Sequence, residues 1–170
     1  ILSPLLAVPH PTLFDYETAL DLWYFSNIWR RKNKLFEGEG RKILTEAFGA
    51  RLDLLNLQWI YRSRKYFGLR KEQIYSLLIP IHYRIPDRLF RQLLEADSEE
   101  QFFRLVSSTG YAKKFAAQNM APESLEEMYR VLLRRICRSQ SRRLPCSIAG
   151  LNAYLFLKEE EIHDIVTVVE

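Results

Sequence analysis

Polar side chains that could do acid–base chemistry stand in an otherwise apolar stretch over residues 52–60. Asp53 and Asn56 are three residues apart, so on a helix they share one face. The basic residues Arg62, Arg64 and Lys65 follow them and complete the candidate cluster. A carboxylate beside an orienting amide suits general acid–base catalysis, whereas a structural pair would bond to a neighbouring helix, a tyrosine or an arginine. Each buried polar group left without a partner costs about 1–3 kcal/mol. Because no histidine, serine or metal-ligand set accompanies the pair, we interpret it as a packing device.

A run of arginines without acids, between residues 130 and 143, is the second group that could bind a charged molecule. Four of them are spaced four residues apart and therefore share one helix face: Arg130, Arg134, Arg138 and Arg142. Two interpretations stay open for this stripe. It either pairs with the acids Glu159–Glu161, or it faces an acidic partner such as a protein, an anionic lipid or a nucleic acid.

Histidines and cysteines form no recognisable reactive set. His10, His82 and His163 share no ligand spacing with a second donor, and Cys137 and Cys146 fit neither a disulfide framework nor a zinc pattern. Neither GxGxxG nor GxxxxGK[ST] occurs, so the familiar nucleotide-binding loops are missing from the sequence. We predict no catalytic residue, no cofactor and no metal, and hence a protein that is not an enzyme.

Charge leaves nucleic-acid binding as an alternative function. The 170 residues include 25 Lys+Arg and 21 Asp+Glu, a net charge of +4, and basic runs alternate with aromatics at residues 29–32 and 61–66. A basic all-helical nucleic-acid-binding module would fit, although the net charge is modest and no helix-turn-helix is recognisable. The longest nearly apolar run, residues 148–157, is too short to cross a bilayer.

Helical periodicity dominates the elements that must position these residues, which predicts an all-α protein. The expected helices cover residues 15–34, 41–66, 71–79, 87–96, a segment from 98, 124–139 and a last helix after 147. Ser98, Ser124 and Ser147 are expected to cap three of them. In the last helix the predicted core face is Ile148, Leu151, Leu155, Ile162 and Val166, although the terminal valines would also suit a strand.

A weak internal repeat divides the chain. Residues 20–24 and 125–129 share a leucine, an acid, a large apolar residue and a tyrosine, and each opens a helix that ends in basic residues. The pair Asp53–Asn56 is echoed 108 residues later by Glu161–Asp164. Chance similarity between amphipathic helices is the competing explanation. The repeat predicts a complete helical unit over 1–119 and a second, truncated unit over 120–170, so the chain would be a fragment.

Two segments resemble one family of V-type and A-type ATPase subunits, the C subunit, which is called the d subunit in eukaryotic V-ATPases. Residues 51–66 are similar to the family's central helix, which reads acid-x-x-Asn and then, six residues on, Arg; here these are Asp53, Asn56 and Arg62. Residues 144–162 are similar to its closing segment, with Pro, a small-residue turn and Tyr-Leu-x-Leu-Lys-Glu. Tyr111 fits the same layout.

The resemblance covers most of this chain and roughly the C-terminal half of a family member. It implies a funnel of repeated helical units and a non-catalytic rotor part in the central stalk, which couples the membrane ring to the shaft of an ion-translocating ATPase. Expected partners are ring and shaft subunits, with no nucleic acid and no membrane span. The expected location is cytoplasmic, peripheral to the membrane. Asp164 and Glu170 depart from the pattern, where the family has Asn and Arg.

Overall fold

The fold consists of helices alone in the part of the chain that the structure, a computed structural model, describes: residues 10–115 and 122–169. The bounds are α1 Leu13–Leu35, α2 Gly38–Lys65, α3 Lys71–Leu77, α4 Asp87–Glu95, α5 Glu99–Ser107, α6 Gly110–Phe115, α7 Pro122–Arg143 and α8 Ile148–Val169. The all-α prediction is confirmed. The terminal valines belong to α8, since a helix there continues the hydrogen bonding of a long preceding helix.

Two of the three predicted serine caps are confirmed. Ser98 accepts a hydrogen bond from the Gln101 N–H (3.2 Å), and Ser147 accepts one from the Gly150 N–H (3.3 Å). The prediction for Ser124 is wrong, because α7 begins at Pro122 and Ser124 lies inside it. Proline is well suited to the first position of a helix, where its missing N–H would have no intrahelical acceptor.

Helix α2 forms the centre of the core. Its buried residues Leu54, Leu57 and Ile60 belong to one cluster with side chains of α4, α5, α7 and α8, among them Phe90 and Leu133. Burial on several sides explains why α2 is apolar around most of its circumference. The helix therefore holds Asp53 and Asn56 in the interior, where neither side chain is exposed to solvent.

The predicted core face of α8 is wrong. Its large aliphatic residues are 40–61% exposed: Ile148, Leu151, Leu155, Ile162 and Val166. The buried side of α8 instead consists of Ala149, Gly150, Ala153 and Phe156. Small residues let α8 approach α7 and α2 closely, and this leaves the larger aliphatic side chains pointing outward.

Helix α1 also keeps apolar side chains at its surface. It packs on α2 through Leu22, Phe25 and Trp29, which contact a small cluster around Leu52. Its exposed apolar residues are Leu13, Phe14, Tyr16, Leu20, Trp23 and Tyr24. Among the described helices none is long and apolar enough to span a bilayer.

Candidate functional site

Asp53 is the centre of a buried hydrogen-bond network that we call the polar lock. Backbone N–H groups of Tyr83, Arg84 and Ile85 donate to its two carboxylate oxygens at 3.0, 2.7 and 3.2 Å. The Tyr111 hydroxyl, 58 residues away in sequence, donates to Oδ2 at 2.8 Å. The carboxylate thus ties α2 to the segment before α4 and to α6.

Asn56 completes the polar lock one helical turn further along α2. Its Nδ2 donates to the carbonyl of Ile79 (3.0 Å), and the Ile79 N–H donates to its Oδ1 (2.9 Å). This reciprocal pairing holds an irregular stretch of main chain as a neighbouring strand would. Together the two side chains bind the backbone of residues 79–85, which follows α3 and lacks regular structure.

The polar lock has no capacity for acid–base catalysis. All four hydrogen bonds to Asp53 come from groups that the fold fixes, and its side chain is fully buried. Burial raises the pKa of Asp53, while the donated hydrogen bonds act in the opposite direction. Burial and the adjacent Asp53 carboxylate raise the pKa of Tyr111. Both side chains are buried and therefore out of reach of a substrate.

An ion-pair cluster joins the N-terminal half of α7 to α8. Arg130 and Arg134 each reach Glu160, at 3.3 and 3.2 Å, and both also pair with Asp164. The Glu160 side chain is only 12% exposed, so solvent screens it weakly. Hydrogen bonding to Glu160 raises the pKa of Arg130. Half of the arginine stripe therefore serves to attach α8.

The remaining predicted site residues take no part in the hydrogen bonds of the polar lock or in the ion pairs of Glu160 and Asp164. Arg62 is exposed and its Nη1 lies 3.9 Å from a Glu126 oxygen on α7, while Glu161 pairs with Lys158 of its own helix. Arg138 lines an open groove of about 650 Å³ between α7 and α8. Within residues 10–115 and 122–169, neither Arg138 nor Arg142 has a carboxylate within 4.0 Å.

Replacing Glu160 with alanine is expected to lower the free energy of unfolding by about 1–2 kcal/mol, because two arginines lose a shared, nearly buried carboxylate. The matched control is Glu161→Ala on the next residue, whose exposed pair with Lys158 should contribute less than about 0.5 kcal/mol. Urea unfolding followed by circular dichroism measures both variants. Equal losses would show that burial of Glu160 adds nothing.

The two cysteines are free and differ in burial. Cys137 is buried, which raises its pKa to about 11 and keeps it a thiol at neutral pH. Cys146 is exposed and unpaired. No group of three or more His, Cys, Asp or Glu side chains is placed to hold a metal ion in the described part of the chain.

Comparison with families of known proteins gives a match over nearly the whole chain. The model of a family described as "ATP synthase (C/AC39) subunit" matches residues 2–170. The chain belongs to this family. The resemblance of residues 51–66 and 144–162 to the C subunit of V-type and A-type ATPases is thereby confirmed.

Curated relatives of this ATP synthase (C/AC39) subunit family member are archaeal proteins, each named as the C subunit of an A-type ATP synthase. The chain is 23% identical to that of Methanobrevibacter smithii over 155 residues, which are 88% of this chain and 40% of the relative. It is 24% identical to that of Methanothermobacter thermautotrophicus over 159 residues, 90% of this chain and 41% of the relative. It is 30% identical to that of Methanocaldococcus jannaschii over 97 residues, which are 57% of this chain and 23% of the relative. The match thus spans about two fifths of its relatives or less. No solved structure gives a significant match.

Sequence reasoning noted two cationic residues of this family member but missed their structural roles. Arg64 of α2 donates to the carbonyls of Leu93 and Ala96, which closes the open C-terminal end of α4. Lys32 is 3% exposed and lies 3.9 Å from the Trp29 ring centre. Both stand in basic runs that look solvated, and only tertiary contact distinguishes them.

Lys32 is a buried cation without a carboxylate. Its Nζ donates to the Thr45 hydroxyl (2.6 Å) and the Asn33 side chain (2.9 Å), and no acidic side chain in the described chain lies within 4.0 Å of it. Burial, followed in effect by the nearby positive charge of Arg41, lowers the pKa of Lys32. Neutral oxygens and an aromatic face replace only part of its hydration.

Replacing Lys32 with methionine is expected to raise the free energy of unfolding at pH 7 by about 1 kcal/mol, because a similar apolar volume replaces an unpaired buried charge. The variant's gain in free energy of unfolding over the native chain should shrink as the pH rises towards 10.5. The reason is that Lys32 loses its proton at a lower pH in the folded chain than in the unfolded chain. Urea unfolding at several pH values measures both effects. Lys34→Met, two residues away and exposed, is the control; equal responses of the two variants would contradict the expectation.

Proposed function

We propose that this chain acts as a non-catalytic central-stalk subunit, or part of one, that couples the membrane ring to the shaft of a V/A-type ion-translocating ATPase. Its partners would be ring and shaft subunits, and its location the cytoplasmic side of the membrane, where it attaches through the complex. The observation that carries the proposal is the apolar outer face of α8, considered together with membership in the family.

That face has the spacing of a helix–helix seam. Its apolar residues follow a seven-residue pattern that Lys158 alone interrupts: Ile148, Leu151, Leu155, Ile162, Ile165 and Val169. A repeat of this kind keeps one stripe facing a partner helix over several turns. The six residues are 40–81% exposed. An exposed apolar stripe of this length supports a contact with another protein. The proposed occupant is a helix of a neighbouring subunit.

The internal repeat supports a subunit built from successive helical units. The helix pair α1–α2 and the pair α7–α8 each consist of two long helices joined by a short connection. We infer units over 1–119 and 120–170, a division whose boundary lies outside the described residues. The two units differ at the echoed acids: Asp53 binds main chain, whereas Glu161 and Asp164 bind charged side chains. Glu170, where the family has Arg, lies outside the described residues.

Nucleic-acid binding, the alternative function, loses its main feature in the folded chain. Arg130 and Arg134 are committed to Glu160 and Asp164, so half of the stripe has no free charge to offer phosphates. In the basic run 61–66, Arg62 lies 3.9 Å from a Glu126 oxygen and Lys65 lies 3.2 Å from a Glu99 oxygen.

Co-purification from the native host tests the proposal. A tagged chain, expressed from its own locus, should be recovered from mildly solubilised membranes together with ring and shaft subunits. Leu155→Asp with Ile162→Asp on the α8 face should abolish this recovery. Phe67→Asp, a 72% exposed site at the end of α2, should retain it.

Coupling provides the second readout. Without the chain, ATP hydrolysis by the head should continue without ion pumping, because the shaft is no longer connected to the ring. Full ATP-driven pumping in a strain that lacks the chain would overturn the proposal.

A further inference from the structure

Three helix ends meet at one end of the molecule. Only two residues separate the C-terminal end of α1 from the start of α2, and Lys32 near that end donates a hydrogen bond to Thr45 of α2. The C-terminal end of α7 lies against the same turns. Gln140 donates to the carbonyl of Ile43 (2.9 Å), and Arg143 pairs with Glu39. Segments about a hundred residues apart in sequence thus form one surface.

This surface gathers most of the excess positive charge. Its exposed cations, which we call the basic end, are Arg30, Arg31, Lys34, Arg41, Lys42, Arg142 and Arg143. Residues 30–42 and 142–143 contain eight of the 25 basic residues and two of the 21 acidic ones. Their excess is larger than the net charge of +4, so the remainder of the chain is slightly acidic. Buried Lys32 adds to the same field from beneath.

An apolar side chain stands among these cations. Leu35 is 69% exposed at the last residue of α1, between Lys34 and the half-buried Phe36. An apolar centre with arginines around it is the usual composition of a protein–protein contact. Glu37 and Glu39 follow it in the sequence, and Glu39 pairs with Arg143, so the surface is not uniformly positive. A protein with discrete charged side chains matches such a mixed pattern better than the uniformly anionic phosphates of a nucleic acid or a lipid layer.

We propose that the basic end binds an acidic protein surface, one that presents clustered carboxylates around an apolar site for Leu35. Matched charges would steer the encounter and set its orientation, while Leu35 would supply buried apolar area. This inference goes beyond the proposed function, because it concerns the chemistry of one surface and is tested on the chain alone. It also differs from the expectation for the whole arginine stripe, since Arg130 and Arg134 are already neutralised within the chain.

Binding of defined probes to the 170-residue chain tests the proposal. The probes are a synthetic amphipathic helix rich in Glu and Leu, the same helix with Gln for Glu, vesicles of phosphatidylglycerol and phosphatidylcholine, and a short DNA duplex. We expect the Glu helix to bind in a salt-sensitive manner and the Gln helix to bind at least about tenfold more weakly. Preference for the vesicles or the duplex over the Glu helix would overturn the proposal.

Matched variants separate this surface from overall charge. Arg31→Glu, Lys34→Glu and Lys42→Glu together should reduce affinity for the Glu helix about tenfold or more. The control reverses three exposed cations elsewhere, Arg88→Glu, Arg104→Glu and Lys113→Glu, and should change affinity less than about threefold at moderate salt. Equal losses in the two triple variants would contradict the proposal. We expect each variant to fold, because the altered side chains are exposed. Circular dichroism checks this.

Leu35 tests the apolar part of the same contact. Leu35→Ser should weaken binding of the Glu helix several-fold, whereas Phe67→Ser, an exposed apolar site at the other end of α2, should leave it unchanged. Loss of probe binding with intact co-purification would refute the basic end alone. The reverse result would refute the proposed function and leave the basic end standing.

Discussion

Replacing Asp53 with alanine is expected to lower the free energy of unfolding by about 3–5 kcal/mol, one of the two largest losses we expect from a single substitution. The change removes the acceptor for three backbone N–H groups, of Tyr83, Arg84 and Ile85, and for the Tyr111 hydroxyl. Asp53 and Tyr111 are buried, which limits the access of a replacing water to these donors. Urea unfolding followed by circular dichroism at neutral pH measures the loss.

Three further variants divide this effect. Tyr111→Phe removes one of the four donors and should lower the free energy of unfolding by about 1 kcal/mol. Asp53→Asn keeps one acceptor oxygen but turns an amide N–H₂ towards the N–H donors. Its loss of free energy of unfolding should therefore fall between those of Tyr111→Phe and Asp53→Ala. Asp21→Ala alters an exposed aspartate on α1 and should have an effect below about 0.5 kcal/mol. A loss for Asp53→Ala no greater than for Asp21→Ala would contradict the role of the polar lock.

Replacing Gly150 with alanine is expected to lower the free energy of unfolding by about 2–3 kcal/mol. A Cβ at this position would overlap the carbonyl oxygen of Pro145, and a backbone atom cannot rotate aside as a side chain can. The connection between α7 and α8 would have to move, together with the Ser147 cap. Thermal and urea unfolding measure the effect.

Gly40→Ala is the matched control for this substitution. Gly40 lies in the first turn of α2 and has open space where its Cβ would be, with no atom within 4 Å. Alanine is the better helix former by up to about 1 kcal/mol, so this variant should be as stable as the native chain or more so. The two glycine substitutions should therefore have opposite signs. A gain in stability for Gly150→Ala would show that the close approach to Pro145 is not limiting.

Sequence reasoning predicted the helices well, because long periodic segments bounded by capping residues specify themselves locally. It also predicted that Asp53 and Asn56 need partners. It did not identify those partners, since the segment 79–85 has no periodicity, and its N–H groups are found only by tertiary contact. The one available signal that the two polar side chains are buried was the apolar character of residues 52–60 around them.

The face of α8 was predicted wrongly for a physical reason. Large aliphatic residues dominate any hydrophobic pattern, and in α8 they mark the outer side. The inner side uses Ala149, Gly150 and Ala153, which contribute little to such a pattern but permit close helix contact. The partners of Arg130 and Arg134 were also undetermined from the sequence. A helical stripe of arginines has the same sequence pattern whether it pairs with acids of its own chain or of another chain.

The polar lock has a mechanical consequence for α2. This helix of 28 residues is about 42 Å long and is held at three levels, by Lys32 at Thr45, by the polar lock at its middle and by Arg64 near its end. Each level attaches it to a different part of the chain. A strut braced at both ends and at its centre resists buckling better than one braced at its ends alone. A force or torque applied at the basic end would then be transmitted along α2 to its other end with little bending of the helix.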